Sequence, residues 1–343
     1  MLDLKYQSFD LAFEYPFRTF KGLKTSQPTL VVSLGLQNTY GVGEAPAISY
    51  YDVTVEKMVA ELQLRSASIG RYALTDPVRF WHFLHHLMPG QNFLIAALDI
   101  AGWDLAARLR RKPVYALAGI TMGNIPATDY TIGMDTMENM THRLKLKPMP
   151  VYKIKVGQPE DIDILRQLRT LTDAPFRIDA NEGWTFEAVK NFLPDLKELG
   201  VMLIEQPLPK NNLDEMKELK RLSDIPLFAD ESCVEQKDVA ACAACFHGIN
   251  IKLTKCGGIT PALEMIKEAR HLGMQIMIGS MNESSVGTAA IAHLLPLADY
   301  ADADGPLLLK EDVATGLNYE NGKIAIEGAY GLGVKFVGKY GRA

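Results

Sequence analysis

From residue 127 onward the chain repeats one unit, a short apolar run of strand character followed by a segment of helical periodicity. The runs are 127–134, 151–157, 176–184, 201–208, 226–232, 248–255, 274–281 and 300–306. Segments such as EDIDILRQLRTL, TFEAVKNFLPDLKELG and ITPALEMIKEARHLG fill the gaps. Eight such repeats predict a closed, parallel TIM-type (β/α) barrel of the α/β class. An open doubly wound sheet is the alternative, but no GxGxxG follows a first strand.

Strands buried on both faces should read as unbroken apolar runs. Here they begin that way and turn charged at their C-terminal ends: VYKIK, FRIDAN, MLIE, LFAD, INIK and ADAD. Those ends carry the site in TIM barrels. Lys155, Asp179, Glu205, Asp230 and Lys252 follow one another at intervals of 24, 26, 25 and 22 residues, each about one β/α unit. The five are therefore expected at one height on successive strands. Three carboxylates (Asp179, Glu205, Asp230) aimed into one volume repel each other unless a cation joins them. An oxygen-only donor set suits a hard divalent ion, Mg²⁺ or Mn²⁺.

Lys153 and Lys155 are two apart on one strand, so both side chains point to the same face. Two ammonium groups that close lower each other's pKa, as a lysine base needs near neutral pH. Lys252 is expected across the barrel from Lys155. The two can then reach opposite faces of one carbon, one removing a proton and the other returning it. Lys255 competes with Lys252 and ranks lower, because it falls beyond the expected strand end. Asp302 and Asp304 share a face of the last strand and read either as support or as a receptor for a cationic substrate group. Ser280, beside Gly279 at the end of strand seven, offers a hydroxyl and backbone donors. Asn181 and Glu231 are placed to orient the ligands.

The first part of the chain reads as α+β. Strands are expected at 2–14 and 29–38, with a loop, YPFRTFKGLKTSQP, between them. A Gly-rich turn, YGVGEAPAISYYD, and three helical patterns follow, the last ending at Pro113. A chain of 343 residues exceeds the usual single core. The expected division is a capping domain over 1–115, the barrel over 116–320, and a segment over 321–343 that packs back on the cap. A net charge of −5 argues against nucleic acid. No apolar stretch reaches the roughly 18 residues that span a bilayer. The start MLDLKYQSFDLAF lacks a signal-peptide layout, so no membrane partner and a cytoplasmic location are expected. Cys242 and Cys245 form a CxxC inside the apolar VAACAACF; with Cys233 and Cys256 they read as buried, reduced residues.

Taken in order, KIKVG, RIDANEGW, IEQP, ADES, INIKLTKCGGI, IGSM and DADGPLLL resemble the muconate-lactonizing subgroup of the enolase superfamily. Within it they most resemble the dipeptide epimerases, over essentially the whole chain. The resemblance implies one Mg²⁺ per subunit on Asp179, Glu205 and Asp230, with Mn²⁺ as a substitute. It implies Lys155 and Lys252 as paired acid/base lysines, and Asp302 and Asp304 as the DxD that holds a dipeptide's α-ammonium. The reaction implied is a 1,1-proton transfer that inverts the α-carbon of the C-terminal residue, beneath loops at 15–27 and 44–52. Lys153, Ser280 and Lys24 complete the expected substrate-binding set. Cycloisomerases, o-succinylbenzoate synthases and N-acylamino acid racemases of the subgroup are the alternatives. Where an arginine for a distal glutamate carboxylate is expected, this chain has Gly22. Lys21 and Lys24 stand beside it, but neither is a bidentate fork. A small or apolar second residue is therefore open. Homo-oligomers are common in the family.

Overall fold

The chain opens with a long hairpin. The computed structural model describes residues 1–158, 160–338 and the backbone of 341–342. In it β1 (Asp3–Thr19) and β2 (Gly22–Leu36) pair antiparallel from Asp3↔Gly35 to Thr19↔Gly22. The loop expected between the first two strands is thus mostly strand, with Phe20 and Lys21 at a two-residue tip. Its Pro, Gly and basic residues mask the pairing of Phe17, Arg18 and Thr19 with Lys24, Leu23 and Gly22. β3 (Thr39–Pro46) likewise replaces part of the expected Gly-rich turn and pairs with β2. Its glycines have a packing role: a β-carbon at Gly41 or Gly43 would run into the helix backbone at Ala101 or Ala97.

Three helices back this sheet: α1 (Val55–Arg71), α2 (Pro77–Leu87) and α3 (Asn92–Leu109). Thr54 caps α1 through Lys57 N–H, and Asp76 caps α2 with Pro77 at the first position. The third helix is buried from Phe93 to Ala107, between the sheet and the barrel.

After α4 (Val114–Leu117) come β4 (Tyr130–Ile132), α5 (Met137–Leu146), β5 (Tyr152–Lys155), α6 (Asp161–Arg169), β6 (Phe176–Asp179) and α7 (Phe186–Glu198). The alternation continues with β7 (Val201–Glu205), α8 (Leu213–Leu222), β8 (Leu227–Ala229), α9 (Gln236–Cys245) and β9 (Gly248–Lys252). It ends with α10 (Leu253–Cys256), α11 (Ile259–His271), β10 (Gln275–Gly279), α12 (Ser285–Ala292), β11 (Tyr300–Asp302) and α13 (Gly305–Leu308). β4 to β11 form one eight-stranded parallel sheet in sequence order. A parallel bridge from Thr128 to Ala301 joins its two edges, so the expected barrel closes.

Beyond the barrel, β12 (Ala314–Thr315) pairs with β15 (Lys335–Phe336), and β13 (Leu317–Glu320) with β14 (Lys323–Ile326). β16 (Gly341–Arg342) adds to the edge of β1 at Lys5 and Tyr6. Of the segment expected to pack back on the cap, residues 339, 340 and 343 lie outside the described residues.

Glu44 on β3 is fully buried and braces the barrel helix α12. It accepts hydrogen bonds from Thr29 Oγ1, Ser284 N–H and Oγ, and Gly287 N–H. A carboxylate at a helix N-terminus is favourable twice, through the bonds and through the helix dipole. All four cysteines are buried and free. Among the described residues, no helix is long and apolar enough to cross a membrane.

Candidate active site

Strand register builds the site. Lys155, Asp179 and Glu205 are direct neighbours across β5, β6 and β7. Lys252, Gly279 and Asp302 are direct neighbours across β9, β10 and β11. Asp230 directly follows the end of β8. A cavity of about 230 Å³ lies over these strand ends. Lys155, Lys252 and Asp302 line it from the barrel; Lys24, Tyr50 and Lys21 line it from the cap.

Four buried carboxylates (Asp179, Glu205, Asp230 and Asp302) here meet four buried ammonium groups. Lys155 Nζ donates to Asp179 Oδ2 at 2.5 Å and to Asn181 Oδ1 at 3.2 Å. Lys252 Nζ donates to Asp230 Oδ2 at 2.7 Å. Lys153 Nζ lies 3.0 Å from Asp179, 2.8 Å from Glu205 and 2.8 Å from Asp302. Lys255 Nζ bonds Asp230 Oδ1 and the carbonyls of Asp230, Cys233 and Asn250. That saturates it as a strut and fits its lower rank as a base.

Burial alone would raise the pKa of Asp179, but Lys153, Lys155 and Lys252 outweigh burial and hold it below the usual carboxylate range. Asp230 is lowered in the same way by Lys252 and Lys255. Glu205 moves oppositely, pushed up to about 7 by burial and then by Asp179. Lys153 departs from the expectation of a lowered pKa. Burial lowers it, yet Asp179, Asp302 and Glu205 more than compensate and raise it well above the ordinary lysine value.

Glu205 also carries the test of metal fit. Its Oε1 accepts from Asn250 Nδ2 at 2.8 Å. Its Oε2 is buried and makes no hydrogen bond, although Lys153 Nζ is 2.8 Å away. Lys153 balances its charge without a hydrogen bond to it, so this oxygen keeps its lone pairs for a metal ion. An all-oxygen set from neighbouring strands, with one oxygen unspent, fits a hard divalent ion. Gly279 makes room for this arrangement, because a β-carbon there would collide with the Asn250 amide.

A second acidic group sits deeper. Carboxylate oxygens of Asp129, Asp302 and Asp304 lie within 4.8 Å of one another. Cations already serve this trio: Arg177 Nη1 donates to Asp129 at 2.8 Å, and Lys153 pairs with Asp302. Asp304 Oδ2 accepts from Thr131 N–H at 2.6 Å, and burial, then Asp302, pushes its pKa up to about 6. Of the expected aspartate pair, Asp302 lines the cavity and Asp304 stands behind it.

The hairpin tip is clasped onto the barrel. Lys21 Nζ pairs with Glu182 at 2.9 Å and with Glu231, and sits 3.5 Å from the centre of the Tyr50 ring. Tyr50 Oη donates to Glu182 at 3.0 Å. Phe20 covers Gly157 and Gly183, where any β-carbon would come within 2.8 Å of its ring carbons. Glu231 Oε1 also accepts from Asn181 Nδ2 at 3.4 Å, so the clasp continues through Asn181 to Lys155.

Residues 136–339 match the family model of the enolase C-terminal domain-like family. The chain is 42% identical to an L-Ala-D/L-amino acid epimerase of Flavobacterium johnsoniae, covering 97% of this chain and 99% of that protein. It is 34% identical to an L-Ala-D/L-Glu epimerase of Bacteroides thetaiotaomicron, covering 97% and 88% of the two chains. The fold superposes with a TM-score of 0.90 on a dipeptide epimerase from Cytophaga hutchinsonii complexed with Mg and D-Ala-L-Val, at 26% identity over 97% and 95% of the two chains. The chain belongs to the enolase superfamily.

For this enolase-superfamily barrel, sequence reading missed Asp129, Arg177 and Asn250. Arg177 and Asn250 each stand two residues before a singled-out position, Asp179 and Lys252, as Lys153 stands before Lys155. The period-two rule applied to Lys153 and Lys155 would have found both. Asp129 precedes β4 and had no such partner to reveal it.

Proposed function

We propose that the chain is a dipeptide epimerase that inverts the α-carbon of the C-terminal residue by 1,1-proton transfer. The observation that carries the reading is the pair Lys155 and Lys252, two buried ammonium groups on β5 and β9, held by different carboxylates and lining one cavity. Asp179, Glu205 and Asp230 would hold one Mg²⁺ per subunit, or Mn²⁺ in its place. Bound there, the ion supplies the positive charge that makes a proton α to a carboxylate acidic enough to remove, as in enolase-superfamily sites generally.

Lys155 Nζ takes or returns the α-proton from one face, and Lys252 Nζ does so from the other. Asn181 and Glu231 orient Lys155 and Asp179: Asn181 N–H donates to Asp179 Oδ1 at 3.0 Å. Asp302 receives the ammonium of the N-terminal residue, with Asp304 behind it and Lys153 fixing its carboxylate. An ammonium receptor favours a dipeptide over the N-acyl substrate of a racemase. Ser280 gives its N–H to Asp302 O at 2.8 Å, which leaves its hydroxyl for substrate. Lys24 Nζ donates to Gln27 Oε1 at 3.1 Å and faces the second residue. Its pKa is lowered by burial and then by Lys155 and Lys252.

The division into 1–115, 116–320 and 321–343, a cytoplasmic location and a homo-oligomer belong to the same proposal; size-exclusion chromatography tests the last. The reaction is tested by incubating a dipeptide panel with the Mg²⁺-loaded enzyme in D₂O. Uptake of one deuterium at the α-carbon of the second residue, with inversion, is expected. Absence of exchange across the panel would sink the proposal.

A further inference from the structure

Residues 280–284, between β10 and α12, form one wall of the site: Ser280, Met281 and Asn282 line the cavity. Both ends of this loop are held. Ser280 N–H donates to the Asp302 carbonyl at 2.8 Å, and Ser284 gives its N–H and hydroxyl to Glu44 of the cap. Between these anchors Asn282 has φ +67°. A non-glycine residue keeps such a left-handed conformation only when its surroundings impose it.

Glu283 supplies part of that frame. Its side chain folds back on the loop, and its Oε2 accepts from Met281 N–H at 2.5 Å. The residue is 2% exposed and does not line the cavity. Two glycines make its berth. A β-carbon at Gly305, on α13, would lie 2.4 Å from the Glu283 carbonyl oxygen. A β-carbon at Gly287, on α12, would lie 2.7 Å from Glu283 Cβ and 3.3 Å from Glu44 Oε2. The two glutamates therefore flank one glycine. Glu44 already spends its oxygens on Thr29, Ser284 and Gly287. A second negative charge buried beside it would be repelled. Burial, then Glu44 on β3, favours the neutral form of Glu283, and Lys252 on β9 opposes them more weakly. A neutral carboxyl still accepts the Met281 N–H.

We propose that Glu283 is a positioning residue of the reaction: its carboxyl, wedged beside Glu44, fixes the loop that presents Ser280 to the substrate. The inference rests on the epimerase reading. Glu283 acts through Met281 N–H and touches no reacting atom. Its loop follows β10, two or more strands away from the β6, β7 and β8 ends that carry the proposed metal ligands. A contact made equally in the ground and transition states registers in KM, with kcat little changed.

The probe is the dipeptide that exchanges fastest in the panel above, followed by deuterium uptake. Glu283→Leu leaves Met281 N–H without this acceptor and should raise KM by about tenfold or more, since a misplacement of about 1 Å can cost that much. Glu283→Gln keeps an acceptor oxygen and no charge, and should hold KM close to the wild-type value. Gly287→Ala presses on Glu283 from α12, removes no hydrogen bond, and should also raise KM. The rise in unfolding midpoint on adding Mg²⁺ should stay the same in all three variants. A wild-type KM in Glu283→Leu, or a Glu283→Gln as impaired as Glu283→Leu, overturns the proposal while leaving the epimerase reading intact. So does a Glu283→Leu that loses its response to Mg²⁺ along with its KM, because the residue then only supports the fold. If Glu283→Leu does not fold, a wild-type KM in Gly287→Ala overturns it. No exchange by the wild type across the panel overturns the epimerase reading instead, and this role with it.

Discussion

Lys155 and Asp179 stand directly opposite each other across β5 and β6, and the ammonium of one lies 2.5 Å from the carboxylate of the other. A proposed base and a proposed metal ligand thus share one ion pair. Removing the metal and removing the base should nevertheless leave different signatures.

Lys155→Ala and Lys252→Ala should each reduce epimerisation by about 10³-fold, within the range of general acid–base groups. Each variant keeps one lysine, so it should still exchange the α-proton of one diastereomer without inverting it. Chiral chromatography together with mass spectrometry in D₂O reads both effects. Full inversion by either variant would defeat the two-base scheme.

Stripping divalent ions with a chelator should abolish activity, and Mg²⁺ or Mn²⁺ should restore it. Added Mg²⁺ should raise the unfolding midpoint, since a ligand at 100 times its Kd stabilises by about 2.7 kcal/mol. Glu205→Gln should lose that rise and Asp129→Asn should keep it. The opposite pattern would move the ion to the deeper aspartate trio.

Lys21→Met should loosen the hairpin tip. The variant removes two ion pairs, one to a nearly buried Glu231. A charged hydrogen bond is worth about 1.5–3 kcal/mol, so a loss of roughly tenfold or more in kcat/KM is expected, at 1.36 kcal/mol per decade. Faster proteolytic cleavage near Phe20 should accompany it. Unchanged kinetics would show that the clasp does not govern closure.

Stability should fall as pH rises through a window set by Glu283. Burial, then Glu44, pushes its pKa up from 4.5 to about 8 in the folded chain. A carboxyl group raised in this way favours the folded state while protonated. Its contribution is complete below about 4.5, declines between 4.5 and about 8, and is flat above. At about 1.4 kcal/mol per unit the ceiling is roughly 5 kcal/mol. Thermal midpoints at pH 5 and pH 9 should differ less in Glu283→Gln than in the wild type, and equal differences would refute the assignment.

The barrel was legible because its strands are apolar on both faces and its charges recur once per repeat. Asp179 and Glu205 could be placed side by side from their interval alone, and the register agrees. The hairpin around Phe20 was not legible, because Gly, Pro and lysine there imitate a loop while the backbone pairing of Thr19 with Gly22 leaves no periodic trace. The separation of Asp302 from Asp304 was also hidden. It depends on Thr131, a residue 173 positions away in sequence that claims one carboxylate of the two.

Glu44 has a consequence for synthesis. It emerges 240 residues before Ser284, which supplies two of its hydrogen bonds, and 243 before Gly287, which supplies another. Until that stretch leaves the ribosome, Thr29 is its one native donor among the described residues, and burying the carboxylate in the first sheet is costly. The part of the protein made first should therefore be among the last to settle, waiting for the end of the barrel to arrive. A nascent chain halted before Ser284 should leave β3 open to hydrogen exchange, and full protection there would exclude this order.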